Sequence, residues 1–398
     1  MSESATERSA LPRRRVDRKS QIARIAADLF CERGYYTVGL GEIATEAGIT
    51  GPAIYRHFRN KQAILAYATA ELSSAVEDVV SRAARTGGSS WSRLDAVVGE
   101  VVGLVVERRR SVRLYQWERR YLGPEDHERF TAAIASLVDV VAELLAEVRP
   151  RLPPAEHRTL ASAALSGMAS LGTHRTPVTA RAATDGLRAI GLGVLVTGLP
   201  PRLTTQSAHP APEPVVGEFG ARRERLLAAA LRPIRERGFH GVTMEDIGVT
   251  AGISGSSVYR HFPSKADLLA AVYYRAADRL AATTNAAIEN AEEPGEALRE
   301  LVRAYVGFAF QHSDLAAVYL SEYENLPDDD RHTLRKVQRE HVEQWVRLLT
   351  AVREHTRGAH ARLVVHAALN IVHDLSMSRR RLTDPVQVEY LVFAALAS

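Results

Sequence analysis

The feature that most constrains this chain is a segment that occurs twice. Residues 47–65 read AGITGPAIYRHFRNKQAIL, and residues 251–269 read AGISGSSVYRHFPSKADLL. The copies lie 204 residues apart, and the same shift aligns Arg33-Gly34-Tyr35 with Arg237-Gly238-Phe239. A constant shift over so much chain predicts two units of the same fold in tandem, not a solenoid array.

Each copy has the pattern of a short helix, a glycine turn and a second short helix. The first amphipathic segment ends near Gly48 or Gly252, and the second follows a hydroxyl residue, Thr50 or Ser254, that can cap it. This order is the sequence form of a helix-turn-helix. The chain therefore contains two candidate DNA-reading elements.

Composition predicts an all-α protein with more than one core. The chain has 398 residues, of which 46% are hydrophobic and 25% are charged, and helix formers dominate. The longest apolar run, around 189–199, is too short and too rich in glycine to span a bilayer. With one cysteine, Cys31, and no signal-peptide pattern, we expect a cytoplasmic, nucleoid-associated protein without disulfides.

The charge permits a polyanionic partner without requiring one, and the placement of the lysines suggests where it would bind. The formal net charge is +4, and lysine occurs only at positions 19, 61, 265 and 336. Lys61 and Lys265 hold the same place in the two copies, which predicts a phosphate contact at the start of a helix. Arg13, Arg14 and Arg15 form a basic stretch that is either a solubilising tail or an arm for the DNA minor groove.

Breaks in the pattern divide the chain into six parts. We predict a basic arm at 1–18, a helix-turn-helix domain at 19–65, a helical effector domain at 66–198, a proline-rich linker at 199–218, a second helix-turn-helix domain at 219–269 and a second effector domain at 270–398.

The repeated residues resemble the TetR family of bacterial transcription regulators, most strongly over 19–70 and 222–274. The resemblance implies, for each unit, a three-helix DNA-binding domain followed by a larger helical domain. It also implies that the larger domain holds a small-molecule pocket and a four-helix dimer interface. Family members act as dimers on near-palindromic operators.

The resemblance and the motif together give the candidate DNA contacts. Tyr55, Tyr259, Lys61 and Lys265 match family positions that hold phosphates, which fixes register without reading sequence. Arg56 and Arg260 are the best candidates for a guanine edge or a further phosphate. The remaining candidates are Thr50, Gly51, Pro52, Ala53 and His57 in the first copy and Ser254, Gly255, Ser256, Ser257 and His261 in the second. For the two histidines, packing is the stronger interpretation.

Three departures from the family pattern distinguish the heads, and two of them, Gly39 and Pro233, favour an alternative. Gly39 stands where the second copy has Thr243, Gly51 and Ala53 lack contacting side chains, and Pro233 falls inside a helix, where it costs roughly 3 kcal/mol unless accommodated. The alternative is an interaction protein in which one or both heads no longer bind DNA. An enzyme is disfavoured, because the sequence has no phosphate loop, nucleophile elbow or paired carboxylates.

Aromatic residues in the middle of each unit are candidates for the effector site, although such stripes are more often core. The candidates are Arg113, Tyr115, Trp117 and Tyr121 in the first unit and Tyr319 and Tyr323 in the second. We predict a small, largely apolar effector of unknown identity, and no cofactor.

One helix carries His366, Asn370, His373 and Asp374, which have metal-ligand spacing but no accompanying catalytic signature. We predict no metal. Their counterparts in the first unit are the small residues Ser162, Ser166, Ala169 and Ser170. This contrast suggests that bulky and small residues face each other across a bundle interface.

These observations predict a ligand-responsive DNA-binding regulator, most simply a repressor. The two halves of one chain would pair as a pseudo-dimer, and a homodimer of two chains with four heads is the competing arrangement. Because residues 51–53 and 255–257 differ, the predicted operator is an imperfect palindrome.

Overall fold

A computed structural model describes residues 17–35, 37–118, 121–202, 222–378 and 383–398. Within these ranges all regular structure is helical, which confirms the predicted all-α class. No helix in the described part is long and apolar enough to cross a membrane. Arg13, Arg14 and Arg15 and most of the predicted linker lie outside the described residues.

The described residues of the first unit form nine α-helices, and a short 3-10 turn at Ser170–Gly172 lies between α8 and α9. They are α1 Arg18–Arg33, α2 Leu40–Glu46, α3 Gly51–Ile54, α4 Lys61–Ala83, α5 Ser90–Glu107, α6 Arg109–Glu118, α7 Pro124–Val148, α8 Pro154–Ala169 and α9 Ala180–Val196.

The second unit repeats this order. Its helices are α10 Arg222–Arg237, α11 Met244–Ala251, α12 Gly255–Tyr259, α13 Lys265–Ile288, α14 Pro294–Gln311, α15 Ser313–Ser321, α16 Asp328–Val352, α17 Gly358–Met377 and α18 Pro385–Leu396. A 3-10 turn at Tyr323–Asn325 separates α15 from α16. The bounds of α1, α5 and α7 and those of α10, α14 and α16 differ by 204 at both ends, which confirms the tandem repeat.

Each unit begins with a small head that has its own core. Head 1 comprises α1–α3 and the start of α4, and it buries Ile22, Phe30, Ile43 and Ile54 together. Head 2 comprises α10–α12 and the start of α13, and its core is built in the same way. Full burial of one such side chain contributes about 1.5–3 kcal/mol, so each head is held by its own apolar cluster.

Pro233 is accommodated without breaking the first helix of head 2. Helix α10 continues from Arg222 to Arg237 with Pro233 buried inside it. Proline removes one helical hydrogen bond, but here its ring adds buried apolar surface. Helix α10 therefore accommodates Pro233 locally.

Most of the remaining helices of both units share one hydrophobic core, whereas α6 packs on the core of head 1 and α15 on that of head 2. Helices α8 and α9 of the first unit pack on α17 and α18 of the second, and we call these four helices the seam. Glycines allow the close approach: a Cβ on Gly186 would lie 2.7 Å from Leu363 Cδ2, and one on Gly167 would lie 3.3 Å from Ile371 Cδ1. The two units are thus packed directly against each other.

The two units differ in how the long helix after each head is packed. Helix α4 runs mainly along α7, whereas its counterpart α13 runs mainly along α14. One fold is therefore present in two packing arrangements within the same chain.

Candidate nucleic-acid interface

The second helix of each helix-turn-helix presents one polar face and buries the other. Ile54 and Phe58 in head 1, like Val258 and Phe262 in head 2, are buried in the head cores. The adjacent tyrosines point outward, with Tyr55 61% and Tyr259 56% exposed. A large exposed aromatic residue at the same place in both heads is suited to an interface, because nothing in the described chain covers it.

The other predicted contacts are distributed over the same two faces. Thr50, Gly51, Pro52, Tyr55, Arg56, Ser254, Ser256, Tyr259 and Arg260 are exposed, Ala53, His57, Lys61, Ser257, His261 and Lys265 are partly buried, and Gly255 is buried. Their contacts with DNA remain predictions.

The two recognition helices differ in their caps. Ser254 Oγ accepts a hydrogen bond from Ser257 N at 3.3 Å, as a serine N-cap should. Thr50 occupies the equivalent position, but its side chain makes no capping hydrogen bond. Head 1 therefore starts its recognition helix with less local support than head 2.

The preceding helices show the same difference. Thr243 and Asp246 form a reciprocal capping box, with Asp246 N to Thr243 Oγ1 at 3.1 Å and Thr243 N to Asp246 Oδ2 at 2.8 Å. In head 1, Gly39 has no side chain, and only the return bond remains, from Gly39 N to Glu42 Oε2 at 2.9 Å. The weaker cap expected at Gly39 is confirmed.

The glycine at the start of each recognition helix serves a different purpose in each head. A Cβ on Gly255 would overlap the carboxylate of Glu245, which would have to move, and would lie 3.1 Å from Glu245 Cα, so α12 is packed tightly on α11 at this glycine. A Cβ on Gly51 would meet nothing within 4 Å. The space around the helix start is therefore tight at Gly255 and open at Gly51, a difference that the matching residue types did not reveal.

The two repeated lysines bind the protein itself. Lys61 Nζ donates to Tyr35 O at 2.7 Å, and Lys265 Nζ donates to Phe239 O and Val242 O, both at 2.5 Å. Each ammonium also lies over the ring of Tyr35 or Phe239. Burial lowers the pKa of Lys265. Each lysine thus ties the start of α4 or α13 to the loop after the first helix, and the phosphate contact remains a prediction.

Head 2 is anchored to the rest of its unit through buried polar groups. The fully buried Glu322 accepts hydrogen bonds from Phe239 N at 3.3 Å and from Asn325 Nδ2 at 2.7 Å. His240 Nε2 and Asn325 Oδ1 are 2.8 Å apart. The orientation of head 2 is therefore set by the turn between α15 and α16.

The same turn, Tyr323–Asn325, also touches head 1, and we call it the joint turn. Gly34 ends α1 with φ +84°, and a Cβ added there would lie 3.2 Å from Glu324 Cβ. The joint turn therefore lies in contact with both heads, which links their relative positions to the second unit.

A polar cluster lies in the interior of the second unit. The hydroxyl of Tyr305 is 2.7 Å from His373 Nε2, and Trp345 Nε1 donates to His341 Nε2 at 3.2 Å. Burial lowers the pKa of His341 and of His373 to about 4, so both are uncharged at neutral pH. We call these four residues the second-unit polar cluster.

The first unit has no such cluster at the equivalent positions. Its counterparts are Val101, Leu137, Val141 and Ala169. Sequence reasoning singled out His373 and missed Tyr305, His341 and Trp345. Comparing the two copies position by position would have found them, since hydrogen-bonding rings replace aliphatic residues at a fixed shift.

The residues predicted to bind an effector lie in two places. Tyr115 contacts Phe130, and Tyr121 stacks on Tyr35 of head 1 with ring centroids 4.9 Å apart. Tyr319 stacks on Tyr273 at 4.6 Å.

Of the other three predicted effector residues, Tyr323 belongs to the joint turn. Arg113 is partly buried in α6, and burial lowers its pKa. Trp117 is also in α6, and its side chain lies outside the described part.

The predicted opposition of bulky and small residues across the seam is confirmed at Ser166. Asn370 Nδ2 donates to Ser166 O at 2.9 Å, and Ser166 Oγ donates to Asp374 Oδ2 at 2.6 Å. The rings of His174 and His366 stack across the seam with centroids 4.1 Å apart. No group of three or more His, Cys, Asp or Glu that can hold a metal ion occurs among the described residues.

Comparison with known proteins gives matches in both units. The family model for bacterial regulatory proteins of the tetR family matches residues 22–68 and 226–272. A model for a tetracyclin repressor-like C-terminal domain matches residues 291–377.

Several curated proteins are similar to parts of the chain. It is 36% identical over 135 residues to the HTH-type transcriptional activator FasR of Mycolicibacterium smegmatis, covering 33% of this chain and 60% of that protein, which is less than two thirds of its length. It is 30% identical over 144 residues to the HTH-type transcriptional repressor KstR2 of Rhodococcus jostii, covering 36% and 70%. The solved structure of ketosteroid transcriptional regulator KstR2 of Mycobacterium tuberculosis matches with a TM-score of 0.39 at 23% identity, over 46% of this chain and 95% of that one.

Proposed function

The chain belongs to the TetR family of bacterial regulatory proteins, and we propose that it is a cytoplasmic, DNA-binding transcriptional repressor that a small molecule releases from its operator. The observation that carries this proposal is the repeated outward face of the recognition helices. Tyr55 with Arg56, and Tyr259 with Arg260, are exposed at the C-terminal ends of α3 and α12, whose other sides are buried in the packed heads. Exposed cationic and aromatic residues on a rigid helix are suited to phosphates and base edges.

We infer that one chain supplies both heads of the DNA-binding unit. In a symmetric dimer, a residue on the two-fold axis meets its own copy. Here Asn370 meets Ser166, and Ile371 lies against Gly167, which are the positions 204 residues earlier. Two bulky copies would collide and two small copies would leave a void, so this seam favours pairing of unlike halves.

The operator proposed for this arrangement is an imperfect palindrome. Ser256 and Ser257 offer hydroxyls for hydrogen bonds to base edges, whereas Pro52 and Ala53 offer only apolar contacts, such as one to a thymine methyl. The two half-sites should therefore differ in the bases that they prefer.

We place the effector site in the second unit, next to Tyr319. The support is the second-unit polar cluster, which gives that interior hydrogen-bonding groups that the first unit lacks. A mainly apolar pocket with a few placed polar groups is the usual form of a small-molecule site. The proposed effector is accordingly a compact, largely apolar molecule with one or two hydrogen-bonding groups.

The decisive experiment measures DNA binding by the purified full-length chain. Fluorescence anisotropy with DNA from upstream of its own gene should show saturable binding that a random duplex does not compete away. A thermal-shift screen should then identify a compound that releases this DNA. Tyr319→Ala should require more of that compound, whereas release at the wild-type concentration would place the pocket elsewhere.

A second candidate function rests on the weaker caps of head 1. Because Thr50 makes no capping bond and Gly39 has only half of a capping box, head 1 is the head that has lost DNA binding in this alternative. Arg56→Ala and Arg260→Ala distinguish the two functions. Both changes should weaken operator binding if both heads bind, and only Arg260→Ala should do so in the alternative.

A further inference from the structure

The joint turn, Tyr323–Asn325, is fixed to the helix that follows it. The hydroxyl of Tyr323 donates a hydrogen bond to the backbone carbonyl of Arg331, and Glu324 Oε2 lies 3.0 Å from Arg331 Nη1. The side chains of Glu324 and Arg331 are only 25% and 24% exposed, so water and salt screen this ion pair less than one on the open surface. Arg331 of α16 thus binds two consecutive residues of the turn.

The end of the joint turn and the residue before it bind head 2. Glu322 is fully buried, and its carboxylate accepts hydrogen bonds from Phe239 N and Asn325 Nδ2. Asn325 Oδ1 in turn lies 2.8 Å from His240 Nε2. A buried carboxylate that loses its donors is costly, so these contacts restrict movement of head 2 relative to the turn.

Head 1 packs against the middle residue of the same turn. A Cβ added to Gly34 would lie 3.2 Å from Glu324 Cβ and 3.4 Å from Glu324 Cγ, so the backbone of head 1 lies directly on this side chain. Residues of head 1 and of the second unit also line one cleft of about 460 Å³, namely Glu32, Arg33 and Thr37 together with Glu324, Arg331 and Arg335. The end of α1 therefore faces the joint turn and the start of α16.

The joint turn meets equivalent loops of the two heads. Gly34 follows α1, and Phe239 follows the first helix of head 2 one position beyond the equivalent glycine. Each loop is also bound by a lysine of the long helix that comes next, because Lys61 donates to Tyr35 O and Lys265 donates to Phe239 O. A continuous series of contacts thus runs from the turn to the start of α4 in one head and of α13 in the other.

We propose that the joint turn is a rigid spacer between the heads, so that Glu322, Glu324 and Asn325 determine which half-site spacing the protein accepts. The consequence for spacing rests on the proposed DNA binding, whereas the rigid connection itself does not. One base pair added between two half-sites rotates one of them by about 34–36° around the DNA axis, because a helical turn contains about 10–10.5 base pairs. Heads at a fixed separation cannot follow this rotation, so the DNA has to deform.

Double electron–electron resonance on the full-length chain tests the rigid connection without DNA. Nitroxide labels are attached at Thr45→Cys in α2 and Val249→Cys in α11, two exposed positions that are equivalent in the repeat. Cys31→Ser removes the native thiol. We expect one narrow distribution of distances between the heads, and a broad one would overturn the proposal.

Two variants of the joint turn should change this distribution. Asn325→Ala removes the contact with His240, and Glu324→Ala removes the side chain that lies against Gly34. Each should broaden the distribution or shift its mean, and circular dichroism checks that both keep their helical content. An unchanged distribution in Asn325→Ala would contradict the proposed spacer.

The matched control is Glu340→Ala, because Glu340 is an exposed glutamate of the same helix α16 and lies near Lys336 of that helix. It should leave the distance distribution as in the parent chain. An effect as large as that of Glu324→Ala would show that the contact with head 1 is not what matters, and would overturn the proposal.

Titrations with operators that have one base pair added or removed between the half-sites test the consequence for spacing. The parent chain should lose affinity at least about tenfold, which is near the low end of the free energy needed to deform DNA. Asn325→Ala should lose less, and equal losses would refute the role of the turn in spacing. A narrow distribution that Asn325→Ala broadens, together with no binding to any operator, would support the rigid connection and contradict the proposed function instead.

Discussion

Asn370 Nδ2 donates hydrogen bonds to Ser166 O and Ser166 Oγ at 2.9 and 3.0 Å, and Ser166 is the residue 204 positions earlier in the chain. Since 204 is the repeat length, equivalent residues of the two units meet in the seam. One has a long amide side chain and the other a small hydroxyl, so the contact is complementary only between unlike halves. This relationship and the features of the heads lead to four predictions.

The first prediction concerns mass and the seam contact. Light scattering at low micromolar concentration should give one chain, 43.6 kDa. Asn370→Ala should lower the free energy of unfolding by about 1–3 kcal/mol, because the groups of Ser166 lose their buried partner. A main species of twice that mass would contradict the intrachain pseudo-dimer.

The second prediction separates the two roles of the repeated lysines. Lys265→Ala should destabilise the protein by about 1–3 kcal/mol, because the carbonyls of Phe239 and Val242 lose their donor. If Lys61 and Lys265 also bind phosphate, the double alanine variant should lower the salt dependence of DNA binding by about 0.9 per lost contact. Lys336→Ala is the control, since Lys336 is exposed on α16 next to Glu340.

Thermal denaturation and DNA titrations at several salt concentrations measure both effects. A loss of stability with an unchanged salt slope would assign the lysines to the fold alone. In that case the phosphate contacts must come from other residues.

The third prediction concerns the difference between the heads. Replacing Ser256 and Ser257 by alanine should reduce base discrimination at one half-site, by less than the roughly 1–3 kcal/mol of a bidentate contact, and leave the other half-site unchanged. Binding to operators mutated in one half at a time measures this. Loss of discrimination in both halves would argue against separate reading by the two heads.

The fourth prediction is a pH dependence of stability. Burial lowers the pKa of His341 and His373 to about 4 in the folded chain, whereas an unfolded histidine titrates near 6.5. Between these values the unfolded state binds more protons, so stability is complete above about pH 6.5 and falls as pH decreases towards about 4. The slope should be up to about 1.4 kcal/mol per pH unit for each histidine.

His341→Leu gives the matched test, because leucine is the residue of the first unit at that position, Leu137. Chemical denaturation at pH 7 and pH 5 should show a smaller loss of stability in this variant than in the wild type. An equal loss would mean that His341 is not protonated on unfolding as inferred.

The sequence by itself determined the tandem repeat, the all-α class and the two helix-turn-helix elements. Repetition at a fixed shift and apolar spacing are local or periodic signals, and caps such as Ser254 and Thr243 act within three residues. The facing of Ser166 and Asn370 was also predictable, since the two copies differ in size at the same position. The repeat and the caps do not depend on how the units are placed in space.

Only the tertiary structure decided what the repeated residues of the motif do. Lys265 binds carbonyls 23 and 26 residues away, and Gly255 lies tightly against Glu245 of another helix. The different packing of α4 and α13 and the contact of the joint turn with both heads likewise come from segments distant in sequence. Side-chain contacts between such segments depend on the positions of several helices at once, because a core is close-packed, and no local pattern encodes that placement.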